Sequence, residues 1–187
     1  IIVVDDTSPD WGTAWLDDFP KDRLVVHRFK NNGGLTRSWN WGLNYANSKG
    51  YDYVVIGNND IIFTPGWFKP IKHGLDNGWH LLGPILAEKL AKTYKNKVEP
   101  LNGINGFFMV AKTELLWRNR FNKTCVFNPG KKMTGNEYEL QGRLRKNGFN
   151  KLGMVPSSFI FHYRGTSRGL KHHKHGAFKM GDKPHLL

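Results

Sequence analysis

The sequence predicts an α/β fold, with a central, mostly parallel sheet flanked by helices. Three observations predict it. Short β-branched runs alternate with helical patterning from Ile1 to Leu75, the signature of parallel strands joined by helical crossovers. Two of the apolar runs stop abruptly on acidic or amide residues, at Asp5-Asp6 and at Asn58-Asn59-Asp60. The 187 residues, 39% hydrophobic and 13% aromatic, are enough to bury one core and about one domain.

Each element follows from local chemistry. Ile1 to Val4 is a β-branched run and reads as a buried strand, with a loop over Thr7 to Gly12. Ala14 to Phe19 is a short helix stopped by Pro20, and Leu24 to Phe29 a second strand. After a turn at Asn31 to Gly34, Leu35 to Asn47 forms an amphipathic helix on Leu35, Trp39, Leu43 and Ala46, closed by Gly50. Tyr53 to Ile56 is the next strand, and Pro65 opens a helix reaching about Leu75. Leu81 to Leu86 is extended, and the basic stretch Glu88 to Pro100 is a loop. Ile104 to Ala111 is a strand, Lys112 to Trp117 a short helix, and Arg118 to Thr134 irregular. Asn136 to Lys146 is a helix ended by Asn147-Gly148, followed by short strands at Lys151 to Val155 and Ser158 to Phe161. A basic tail with little periodicity closes the chain over residues 164–187. No apolar run approaches the roughly 20 residues that span a bilayer, and no signal-peptide pattern opens the chain.

Charge narrows the partners. The net charge of +13 favours an anionic one, and it is clustered. Lys89, Lys92, Lys95 and Lys97 form one basic stretch; Arg164, Arg168, Lys171, Lys174, Lys179 and Lys183 form another, against Asp182 alone. The interspersed His172, His173 and His175 read as composition rather than as a metal site. The single Cys125 makes no internal disulfide, which fits a reducing compartment, the cytoplasm, or a host's cytoplasm for a virus-encoded protein.

The stretch from Tyr53 to Phe63 carries the clearest functional signal. Its apolar run ends in Asn58, Asn59 and Asp60, and a second apolar run follows at once. That places a carboxylate at the carboxyl end of a buried strand, the edge where open α/β sheets bind ligands. A carboxylate there suits a hard divalent cation, which in turn prefers oxygens and phosphates.

Five stretches and a strand end together resemble the GT-A glycosyltransferases of family two, from Ile1 to about Ser167. Ile2-Val-Val-Asp-Asp-Thr-Ser-Pro-Asp10 resembles the family's strand ending in two aspartates, and implies that Asp5 or Asp6 contacts the base and ribose of a nucleotide. Asn32-Gly-Gly-Leu-Thr-Arg-Ser-Trp-Asn40-Trp-Gly42 is similar to the family's Asn-x-Gly loop and following helix. It brings Asn32 to the donor and leaves Arg37 able to reach a phosphate or base. Gly57-Asn-Asn-Asp60 resembles the metal-binding Asp-x-Asp motif with Asn58 at its first position, so Asp60 is the main cation ligand, with Asn58 and Asn59 on the donor side. Leu101-Asn-Gly-Ile-Asn-Gly-Phe-Phe-Met-Val-Ala-Lys112 resembles a strand whose small residues make room for the sugar on the acceptor side. Thr134-Gly-Asn-Glu137-Tyr-Glu139-Leu-Gln-Gly-Arg143 resembles the family's Glu-Asp-x-Asp-Leu-x-x-Arg helix start. Counting back from Arg143 puts Glu137 at the catalytic-base position, while Glu139 and Arg143 read as a structural i,i+4 pair. Finally, Val155 to Ser167 resembles the strand end whose histidine completes the metal site, here His162, followed by Arg164, Ser167, Arg168 and Lys171, which are expected to fold over the donor diphosphate.

The resemblance implies a single Rossmann-like GT-A domain over 1–187, with the fold's first strand ahead of residue 1. It implies a metal-dependent, inverting glycosyltransferase using Mn²⁺ or Mg²⁺ and a nucleotide-diphosphate sugar of UDP or dTDP type. The acceptor is a hydroxyl of a glycan, a lipid-linked molecule or another compound. The alternatives are a non-catalytic binder of polyanions or nucleic acid, drawing on the basic clusters with Trp11, Trp39, Trp41 and Trp67, and a glycosyltransferase acting on modified DNA.

Overall fold

The computed structural model describes residues 1–8, 13–86, 97–132 and 135–162. In chain order these form β1 (Ile2–Asp5), a 3-10 helix (Ala14–Asp18), β2 (Val25–Arg28), α1 (Leu35–Ser48), β3 (Tyr53–Gly57) and β4 (Ile61–Phe63). Then follow α2 (Phe68–Asp76), β5 (Leu81–Leu86), β6 (Glu99–Pro100), β7 (Phe108–Lys112), α3 (Thr113–Arg118), α4 (Asn136–Lys146) and β8 (Leu152–His162).

Strands β1 and β2 pair in parallel as a two-stranded sheet. The larger sheet has the order β3-β7-β5-β8-β4, with β6 on β8. The expected mostly parallel sheet is instead mixed. Within the larger sheet only β5 and β8 run parallel; β7 lies antiparallel between β3 and β5, and β4 antiparallel on β8. Helices cover both faces, because successive side chains of a strand point to opposite sides. Leu81, Met109 and Ala111 pack with Leu43, Leu116, Leu140 and Leu144 from α1, α3 and α4. Their neighbours Leu82, Phe108 and Val110 pack with Ile71 and Leu75 from α2. Helix α1 lies against both β1 and β3 and so ties the two sheets together.

Several boundaries move for identifiable reasons. The helix expected from Pro65 begins at Phe68, because Gly66 takes a positive φ of 75° and breaks the approach. The strand expected from Ile104 begins at Phe108; residues 104–107 form a loop held by α4. The two short strands expected on either side of Pro156 are one strand, β8. Its pairing with β5 jumps from Pro84↔Val155 to Ile85↔Phe159, so the proline sits in a bulge. Within the expected 88–100 loop, Glu99 and Pro100 pair with β8, and residues 87–96 lie outside the described set.

Candidate functional site

The β4–β8 pairing builds the first part of the site. Its register sets Ile61 opposite His162, which brings Asp60, one residue ahead of β4, alongside the end of β8. His162 Nε2 lies 3.2 Å from Asp60 Oδ1, and the two side chains are only 11% and 6% exposed. The His162 ring stacks on Phe107 at 4.4 Å and nearly parallel. The Asn58 N–H donates to the Phe107 carbonyl at 3.0 Å, fixing the turn that carries Asp60. A sequence separation of a hundred residues is thus closed by two strand ends and one aromatic ring. An oxygen and an imidazole nitrogen held side by side form a donor pair suited to a first-row divalent metal. Among the described residues no third His, Cys, Asp or Glu joins them.

Helix α4 builds the second part. Its start is anchored by Asn136, fully buried, which donates to Thr36 Oγ1 at 2.6 Å and to the Lys131 carbonyl at 2.8 Å. Glu137 follows, in the first turn, where the helix dipole favours a carboxylate. One face of α4 then holds the 102–106 loop at four points. Arg145 donates to the Asn102 carbonyl. Gln141 is fully buried and brackets Ile104 with two hydrogen bonds, accepting from its N–H at 2.9 Å and donating to its carbonyl at 2.7 Å. Tyr138 donates to Asn105 Oδ1 at 3.3 Å. Glu137 lies against Gly106, where an added Cβ would sit 3.1 Å from both the Glu137 carboxyl carbon and the Trp39 ring. The smallness of Gly106 is therefore used by Glu137 and Trp39. Because Phe107 is the next residue and stacks on His162, Glu137 and the Asp60–His162 pair flank the single dipeptide Gly106-Phe107.

The third part is the loop between β2 and α1. The Asp6 carboxylate accepts from the N–H groups of Gly33 and Gly34, at 3.0 and 2.7 Å, and from the Arg37 guanidinium. Arg37 also donates to the Asn31 carbonyl and lies 3.7 Å over the Phe29 ring. Partial burial pushes the Asp6 carboxyl up, but the Gly33, Arg37 and Gly34 hydrogen bonds and the Arg37 charge outweigh it and hold it below the usual carboxylate range. Gly34 is required by its backbone and its neighbour, while Gly33 gives room to the Arg37 side chain. A Cβ on Gly33 would meet the Arg37 side chain, and Gly34, at φ 86°, would meet the Lys132 carbonyl at 2.8 Å. Asn32 donates to the Asp6 carbonyl at 3.0 Å.

The structure thus groups the expected residues unevenly. Asp6, Asn32 and Arg37 form one cluster, Asp60 and His162 another with Asn58 beside them, and Glu137 stands between, joined to the first cluster through Thr36 and Asn136. Asn59 is exposed in the turn. Asp5 turns away; it is 6% exposed, accepts from the Ser8 N–H at 2.8 Å and lies 3.8 Å from Arg28. Glu139 and Arg143 are the structural pair expected, joined at 2.7 and 2.9 Å, and Arg143 also donates to the carbonyls of Asn119 and Val126. Arg164, Ser167, Arg168 and Lys171 lie outside the described residues. A cavity of about 390 Å³ opens at the opposite end of β3 and β7, beside Tyr53 and Lys112, away from all of these groups.

Sequence reasoning missed Thr36, Asn136 and Gln141, the polar anchors that place Glu137. One signal was available: Glu137 and Gln141 are four apart, which puts them on one helix face.

The mixed α/β fold is shared with known structures. GalNAc-T7, solved with UDP, GalNAc and Mn²⁺, superposes with a TM-score of 0.69 at 15% identity, covering 87% of this chain. This chain spans 37% of that one. A197 from STIV superposes at 0.52 and 13% identity, over 87% of this chain and 83% of its own. That likeness defines the fold as GT-A. No curated protein matches. Residues 1–170 match the model described as Glycosyl transferase family 2, and the chain belongs to that family.

Proposed function

We propose that the protein is a metal-dependent, inverting glycosyltransferase that moves a sugar from a nucleotide-diphosphate donor, of UDP or dTDP type, to an acceptor hydroxyl. The observation that carries this reading is the meeting of Asp60 and His162 at the paired ends of β4 and β8, with His162 against Phe107 and Glu137 against the preceding Gly106. An acid and an imidazole together suit Mn²⁺ better than Mg²⁺, which prefers an all-oxygen shell. That GalNAc-T7 was solved with Mn²⁺ and UDP supports the same choice. Asp60 and His162 would hold the cation, which when bound would neutralise charge on the departing diphosphate.

The chain's own residues do the rest. Glu137 takes the proton of the acceptor hydroxyl as its oxygen bonds to C1 and the bond from C1 to the phosphate oxygen breaks. Attack from the face opposite the leaving group inverts that carbon. The buried anchors at Asn136 and Gln141 hold the carboxylate's helix still against the loop, so little reorganisation is needed at the moment of reaction. Asp6 and Arg37 enter this reading as a preformed support for the nucleotide, since Arg37 is already aligned by Asp6 and Phe29.

The test is a thermal shift with UDP and Mn²⁺. Wild type is expected to gain stability only with both present, and Asp60→Ala and His162→Ala to lose that joint gain. A gain with UDP alone that survives both substitutions overturns the metal assignment.

A further inference from the structure

We infer that Tyr138 forms, with Asn105, a platform for a pyranose ring of the acceptor, so that the hydroxyl attacked at Glu137 belongs to a sugar. This rests on the glycosyltransferase reading above and deepens it by naming the acceptor's class. After Ile1, Tyr138 is the most exposed of the large apolar side chains described, at 57%. Yet it is not loose. Its hydroxyl reaches Asn105 Oδ1 at 3.3 Å, and its ring edge approaches Gly103, where an added Cβ would lie 3.7 Å away. The ring is thus held at its tip and its edge, which leaves a face to solvent.

Position gives that face a purpose. Tyr138 follows Glu137 directly, and both border the 103–106 loop, Glu137 at Gly106 and Tyr138 at Gly103. Asn105, exposed between them, has its carbonyl oxygen engaged by Tyr138 and retains the amide NH₂ as a donor. An aromatic face attracts the polarised C–H bonds of a pyranose through its negative quadrupole, while a neighbouring amide donates to a ring hydroxyl. A pinned ring loses little further freedom on binding. A peptide hydroxyl or a simple alcohol offers no flat C–H face and makes no use of this arrangement.

The experiment uses the UDP-sugar that the wild-type protein hydrolyses with Mn²⁺, and a panel of methyl pyranosides and simple alcohols as acceptors. Wild type is expected to transfer to a pyranoside in preference to the alcohols. Tyr138→Ala is expected to raise the KM for that pyranoside about three- to tenfold. Tyr138→Phe and Tyr138→Trp, which keep the face, are expected to stay within about twofold of wild type. An unchanged KM in Tyr138→Ala, or a Tyr138→Phe as impaired as Tyr138→Ala, overturns the platform. Donor hydrolysis by wild type with transfer to alcohols but to no pyranoside overturns it too, and leaves the glycosyltransferase reading standing. Absence of hydrolysis from every donor removes both.

Discussion

Asn136 positions the acid beside it. Buried and donating to Thr36 and Lys131, it fixes where α4 starts and so where Glu137 points. Asn136→Ala removes the donor to the Thr36 hydroxyl and one of the two donors to the Lys131 carbonyl, and is expected to cost about 1–3 kcal/mol, read as a lower denaturant midpoint. Gly34→Ala is expected to cost a similar amount, roughly 1–3 kcal/mol, by forcing a Cβ into a positive-φ position against Lys132. Asp6 links the same region to pH. Its folded-state pKa is depressed, so its contribution is full above the ordinary carboxylate value and is lost as pH falls through the lowered folded value. Wild type is expected to lose stability over that acid window, and Asp6→Asn to lose less of it; parallel pH profiles contradict this. The strand end at Asp60 was legible from its apolar run, and the positions of Glu137 and His162 came from the family resemblance. Asn136 and Gln141 were not legible, because an amide in a helix ordinarily faces water.

At the level of elements, two short pairings decide the site. The three residues of β4 set Asp60 against His162, and one face of α4 sets the 102–106 loop. Gln141→Leu keeps the volume but strips Ile104 of both hydrogen-bond partners. Faster hydrogen exchange across 102–106, with exchange in β5 unchanged, is the expected outcome; an unchanged loop would show that Gln141 is not its anchor. Helix α1, α4 and the early strands were readable from periodicity. The start of β7 and the unity of β8 were not. Ile104 is apolar and buried yet bonded to a side chain instead of a strand, and Pro156 reads as a break although a bulge absorbs it. The antiparallel direction of β7 is a tertiary choice that no local pattern encodes.

At the scale of the whole molecule, charge and sheet edges matter. A net charge of +13 is expected to draw an anionic donor, so UDP affinity should fall as ionic strength rises from about 50 to 200 mM; a flat response contradicts that role. Strand β1 ends one sheet, β3 ends the other, and α1 lies on both.

The central proposal is that Glu137 removes the acceptor proton and that Asp60 and His162 would hold a cation able to neutralise the departing diphosphate. The direct measurement is release of nucleoside diphosphate from a panel of UDP- and dTDP-sugars, with acceptor, with and without Mn²⁺. Release is expected to depend on Mn²⁺ and to fall about 10²- to 10⁴-fold in Glu137→Gln, with donor affinity retained. Release that persists in a metal chelator, or full turnover by Glu137→Gln, would contradict it.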